Sequence, residues 1–96
     1  MIGFAGIGNP VNFFNLLKDN NIDMLEEISF PDHHNYFNKE LENLINKTKE
    51  NNTILLTTEK DYLRINENYK KNINFLKITV EIENRNQFIE EIKKVI

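Results

Sequence analysis

The spacing of apolar positions changes several times along the chain, and each change predicts an element. Ile2-Gly3-Phe4-Ala5 is a short apolar run that gives way to Gly6-Ile7-Gly8-Asn9-Pro10, after which the pattern turns helical. A strand, a tight turn and a helix follow from this, with Asn9 at the N-cap and Pro10 at the first helical position, where its missing N–H costs nothing. Phe13 or Phe14 falls with Leu16 and Leu17 at i, i+3, i+4 spacing, so the helix runs to Lys18 or Asp19 and Asn20-Asn21 stops it. Ile22 to Phe30 supplies a second strand. Its first part carries Asp23, Glu26 and Glu27, so only Ile28 to Phe30 is expected to be deeply buried. Asn38 is placed to cap a second helix whose Leu41, Leu44 and Ile45 share one face; it fades near Glu50, and Asn51-Asn52 makes the turn.

Thr53-Ile54-Leu55-Leu56-Thr57 is a nearly continuous apolar run, the pattern of a mid-sheet strand covered on both faces. Thr58 then caps a short helix, Asp61 stands three residues on as its acidic capping-box partner, and Leu63 and Ile65 anchor the turn. Tyr69 to Asn74 reads as a polar connection. Phe75 to Ile82 alternates through Leu76, Ile78, Val80 and Ile82 as a fourth strand, and Glu83-Asn84 leads into a final helix with Phe88, Ile89, Ile92 and Val95 on its apolar side. Strands alternating with helices predict an α/β fold: a three-layer α/β/α, Rossmann-like domain with a four-stranded, mostly parallel sheet and right-handed crossovers.

Composition narrows the function classes. Ninety-six residues make one domain, 1–96, large enough to bury roughly 60–65% of the unfolded surface but too small for two cores. A net charge of −3 argues against a dedicated nucleic-acid binder. The chain has no cysteine, so it can form neither a disulfide framework nor a thiolate zinc site. No apolar run approaches membrane-spanning length and no secretory signal opens the chain, so it is expected to be soluble and intracellular.

The candidate chemistry sits in Phe30-Pro31-Asp32-His33-His34. Pro31 cannot donate to a ladder, so the second strand ends there and delivers an acid and the only two histidines beyond a carboxyl strand end, where α/β proteins bind ligands. On extended backbone His33 and His34 point to opposite sides, so one faces the site. Either imidazole can accept a proton from a hydroxyl, with Asp32 or an acid from elsewhere fixing the tautomer. Alternatively Asp32 closes an Asx-turn and both rings sit half buried. As a metal site, two adjacent histidines and one Asp make a poor ligand set, and no metal is assigned. Weaker signals lie nearby. Gly6, Gly8 and Asn9, before a helix N-terminus, can approach a phosphate, or the glycines simply make the turn. A third glycine of the dinucleotide fingerprint is missing, because Val11 stands there, and Gly-Lys-Ser/Thr occurs nowhere. Lys60, past the third strand, can meet a phosphate, pair with Asp32 or remain solvated.

Three ordered motifs, Phe4-Ala5-Gly6-Ile7-Gly8-Asn9-Pro10 with Phe13-Phe14, Phe30-Pro31-Asp32-His33-His34, and Leu56-Thr57-Thr58-Glu59-Lys60-Asp61, resemble the C-terminal half of the tetraacyldisaccharide 4′-kinases. The resemblance covers nearly the whole chain. It implies transfer of the ATP γ-phosphate to the 4′-hydroxyl of a lipid A precursor, at the cytoplasmic face of the inner membrane of Gram-negative bacteria. It also implies that a histidine of the Asp-His-His motif, His33 with His34 as second choice, acts beside Asp32 and with an aspartate of the N-terminal half on the sugar hydroxyl. ATP and Mg²⁺ are implied as cofactors bound mainly by that P-loop half, which is the implied partner along with the lipid A disaccharide precursor; membrane contact is implied through that half alone. The chain by itself is expected to be inactive. Two other readings stay open: an Asp-His-His phosphoesterase using manganese, which needs further aspartates at strand ends, and a non-catalytic α/β interaction module.

Overall fold

The structure, a computed structural model, describes residues 1–77 together with 93 and 94. Its strands are β1 (Ile2–Ala5), β2 (Glu26–Ser29), β3 (Leu55–Thr58) and β4 (Asn74–Leu76), and its helices are α1 (Pro10–Asp19), α2 (Asn38–Glu50), α3 (Glu59–Leu63) and α4 (Glu67–Lys70). The predicted extension of the fourth strand through Ile78, Val80 and Ile82, and the final helix with Phe88, Ile89, Ile92 and Val95, lie outside the described residues.

All pairings in the sheet are parallel, in the order β2-β1-β3-β4. β1 is central: Ile2 faces Glu26 on one side and Leu55 on the other. The alternation along β1 and β3 divides the core between the two faces. Ile2, Phe4 and Leu55 pack with Leu41, Leu44 and Ile45 of α2 and with Ile65 and Ile73. Ala5 and Leu56 pack with Phe13, Phe14 and Leu17 of α1 and with Leu76. Helix, sheet and helix therefore form the three layers expected. The chain steps from β1 to β2 in one direction and then passes back over β1 to β3, so α1 and α2 cover opposite faces, as right-handed crossovers require. Between β1 and β3 the strand order reverses, which opens a crevice at their carboxyl ends.

Several local expectations are corrected. β2 is an edge of the described sheet, and its residues alternate between half-buried and exposed, so Ile28 and Phe30 cover one side of the first core instead of being deeply buried. Asn38 is already helical in α2; the N-cap is Phe37, whose N–H donates to Glu40 Oε1 at 2.9 Å. Asn9 caps α1 without a side-chain hydrogen bond, while Pro10 takes the first helical turn as expected. The stretch from Tyr69 is not all connection, because it includes the end of α4 and the start of β4. Ile65 is buried, but Leu63 stands 69% exposed and anchors nothing. No helix among the described residues is long and apolar enough to cross a membrane.

Candidate active site

Three loops meet at the carboxyl edge of the sheet, one after each of β1, β2 and β3. They line a cleft of about 420 Å³ whose walls are Ile7, Gly8, Asp32, His33, Lys60, Leu63 and Arg64. This is the crevice at the reversal of strand order, so the topology itself marks it as the ligand-binding position of the fold.

The Asp-His-His loop is a tight turn. His34 N–H donates to the Pro31 carbonyl at 3.1 Å, and His33, at the third position, has φ 58°. That is left-handed backbone, which a residue with a Cβ adopts at a cost and which normally calls for glycine or asparagine there. The two histidines are separated by this turn and not by strand alternation. His33 is 86% exposed on the cleft, with Nε2 3.7 Å from Asp32 Oδ2, a separation too long for a hydrogen bond. His34 turns away and is largely enclosed. Its Nε2 is 3.0 and 3.2 Å from the two Glu40 carboxylate oxygens, and its ring stacks on Phe30 at 4.7 Å and meets the edge of Tyr36. Glu40 binds both this imidazole and the Phe37 N–H, and these contacts hold its carboxyl below its ordinary value, the backbone N–H first and His34 after it. One histidine is presented to the cleft and its neighbour is built into the wall behind it.

Asp61 does more than cap α3. It does meet Thr58, whose Oγ1–H donates to Asp61 Oδ2 at 2.6 Å and whose Oγ1 accepts from the Asp61 N–H at 3.2 Å, so the N-cap of α3 is as predicted. The carboxylate does not reach back to the Thr58 N–H as a capping box would. It is fully buried, and its Oδ1 accepts from Gly6 N–H at 3.0 Å, from the Tyr36 hydroxyl at 2.9 Å and from Arg64 Nη2 at 3.2 Å. A buried carboxylate survives only when it is paired and hydrogen-bonded, and here one guanidinium and three neutral donors compensate it. Burial, and then the Asp61 charge, push the Tyr36 hydroxyl far above its ordinary range, so it stays a donor at every working pH.

Of the weak phosphate candidates, Gly8 and Lys60 line the cleft, Gly8 and Asn9 are exposed in the turn before α1, and Gly6 is buried with its N–H committed to Asp61. Arg64 was not singled out from sequence. It also lines the cleft, donating from Nη2 to the Gly6 carbonyl and from Nε to the Lys60 carbonyl. Its buried Nη1 has no partner among the described residues. Among those residues no three His, Asp or Glu side chains gather as a metal-binding group.

The sequence profile of the tetraacyldisaccharide-1-P 4′-kinase family matches residues 1–96. The chain is 42% identical over 91 residues to the tetraacyldisaccharide 4′-kinase of Rickettsia akari, a match covering 95% of this chain and 28% of that kinase. It is 42% identical over 92 residues to the Rickettsia typhi kinase, with the same coverage, and 33% identical over 92 residues to that of Pelagibacter ubique, covering 96% of this chain and 29% of the relative. The chain therefore spans less than a third of the length of these relatives. No solved structure gives a significant match.

Proposed function

Since the chain belongs to the tetraacyldisaccharide-1-P 4′-kinase family, we propose that it serves as the C-terminal half of such a kinase and brings a general base, His33, to the phosphoryl-accepting hydroxyl. The observation that carries this reading is the placement of His33. It is the one imidazole exposed on a cleft at the switch point of the sheet, with Asp32, Gly8 and Lys60 around it. Phosphoryl transfer is driven by positioning and charge neutralisation, and a base that takes the hydroxyl proton adds about 10²- to 10⁴-fold. Neutral His33 accepts that proton, and Asp32 beside it stabilises the resulting imidazolium. Lys60 and the Gly8 turn line the same cleft, and in this reading they meet the developing negative charge.

ATP would supply the γ-phosphoryl group, with Mg²⁺ neutralising it. The residues of this chain do not fit that complex as its principal holders: among the described residues Asp32 is the single carboxylate on the cleft wall, and the sequence has no Gly-Lys-Ser/Thr. Both belong in this reading to a P-loop half, which is also the part that would face the cytoplasmic side of the inner membrane. The precursor's 4′-hydroxyl enters between the halves.

The test is a chimera in which this chain replaces the matching segment of the Rickettsia akari kinase. The chimera is expected to phosphorylate a tetraacyldisaccharide 1-phosphate with ATP, and the 96-residue chain alone to give no turnover. His33→Ala should lower kcat by about 10²- to 10⁴-fold with an unchanged circular dichroism spectrum. A His33→Ala chimera working near the parent rate would refute the assignment.

A further inference from the structure

We propose that Tyr36 and Asp61 are positioning residues that hold His33 in its left-handed turn, so that the presented imidazole is fixed from the third strand's loop without being touched by it. This deepens the reading of His33 as the base and rests on it. The links are short. His33 N–H donates to the Gly6 carbonyl at 3.1 Å, and the preceding side of the same residue is fixed by the Gly6 N–H donating to Asp61 Oδ1 at 3.0 Å. Arg64 Nη2 joins the same two acceptors, the Gly6 carbonyl and Asp61 Oδ1, at 3.2 Å each. On the other side of His33, three residues on, the Tyr36 hydroxyl returns to Asp61 Oδ1 at 2.9 Å.

His33 is thus bracketed. The turn is pinned at the His33 N–H through Gly6, the backbone after it through Tyr36, and both ties end on one oxygen of a fully buried carboxylate. A left-handed conformation at a residue with a Cβ persists only where its surroundings over-determine it, and these contacts do so. Asp61 itself is delivered by the N-terminus of α3, where Thr58 holds its other oxygen at 2.6 Å. No direct contact between Asp61 and His33 is needed, because the turn transmits the constraint.

The experiment uses the 96-residue chain and reads amide hydrogen exchange by NMR in Tyr36→Phe, which removes one hydroxyl and keeps the ring that packs on Phe4, Phe30 and His34. The His33 and Gly6 amides should exchange roughly tenfold faster relative to the Leu55 and Leu56 amides, the fold-change of one lost hydrogen bond. Ile45→Val, a core change on α2 that removes none of the Gly6, Tyr36 and Asp61 hydrogen bonds, serves as the control for general loosening and should speed all four together. His33 exchange that is unchanged, or that rises only in step with the core as in Ile45→Val, overturns the proposal. In the chimera, Tyr36→Phe should lower kcat about tenfold with KM for ATP unmoved. An unchanged kcat alongside an inactive His33→Ala chimera overturns the positioning role, whereas an active His33→Ala chimera overturns the base assignment instead.

Discussion

A Cβ placed on Gly6 would lie 3.0 Å from both the Pro31 carbonyl oxygen and the Tyr36 hydroxyl, and 3.2 Å from Asp61 Oδ1. The first of these is backbone and cannot swing aside. The glycine is therefore required by close approach and not by its own dihedral angles, since no glycine here has positive φ. Gly6→Ala is expected to destabilise the domain by about 1–3 kcal/mol, as overpacking does, and an unchanged urea midpoint would contradict the crowding. Gly8 is different: the nearest atom to its Cβ would be Asp32 Oδ2 at 3.7 Å, an ordinary contact. Two glycines that look alike in sequence thus do different work, and only the loop that folds over them tells them apart.

At the scale of elements, the start of α2 and the Asp-His-His loop are joined through one side chain. Glu40 caps the helix by accepting from Phe37 N–H and at the same time binds His34. Its depressed carboxyl value means that the folded chain holds this proton less tightly than the unfolded chain does. Stability from Glu40 is consequently present in full above the ordinary value of 4.5 and is lost as pH falls through the folded value. Glu40→Gln should cost stability at neutral pH, and the gap to the parent should narrow below pH 4.5. Urea midpoints measured across that range check this; a gap that widens in acid would show the sign to be wrong.

The elements themselves were legible because period and length carry them: the apolar run at Leu55 and Leu56, the Pro10 helix start, and the 3.6-residue spacing of Leu41, Leu44 and Ile45 all hold. The part of Asp61 beyond its cap was not legible. Its partners Gly6 and Tyr36 lie 55 and 25 residues away, and a local pattern reports only the neighbours at three, Thr58 and Arg64. The His33 turn is an intermediate case. Pro31 signalled the end of pairing, but the positive φ of His33 accompanies a hydrogen bond to Gly6, 27 residues away, which no local residue announces.

For the whole molecule, the sheet separates two apolar layers, and Leu56 belongs to one and Leu55 to the other. Each is fully enclosed, so Leu56→Ala should cost about 2–5 kcal/mol, with a cavity left against α1. Leu63→Ser, on the exposed cleft wall, should stay within about 0.5 kcal/mol of the parent. Equal losses at the two positions in urea unfolding would mean that the layering is misassigned.

The same layering bears on how the cleft comes into being. Its walls are drawn from Gly8, His33 and Arg64, and β1 must acquire β2 on one flank and β3 on the other before those three approach. Growth builds it in stages, because parallel neighbours close only through long crossovers: joining β1 to β2 brings the Gly8 turn against the Asp-His-His loop, and β3 adds Lys60 and Arg64 later. On a ribosome β1 and α1 would emerge with this edge of the sheet still empty. The cleft is complete only after Arg64 has left the exit tunnel, so a chain released short of that point would carry both histidines without the wall supplied by α3.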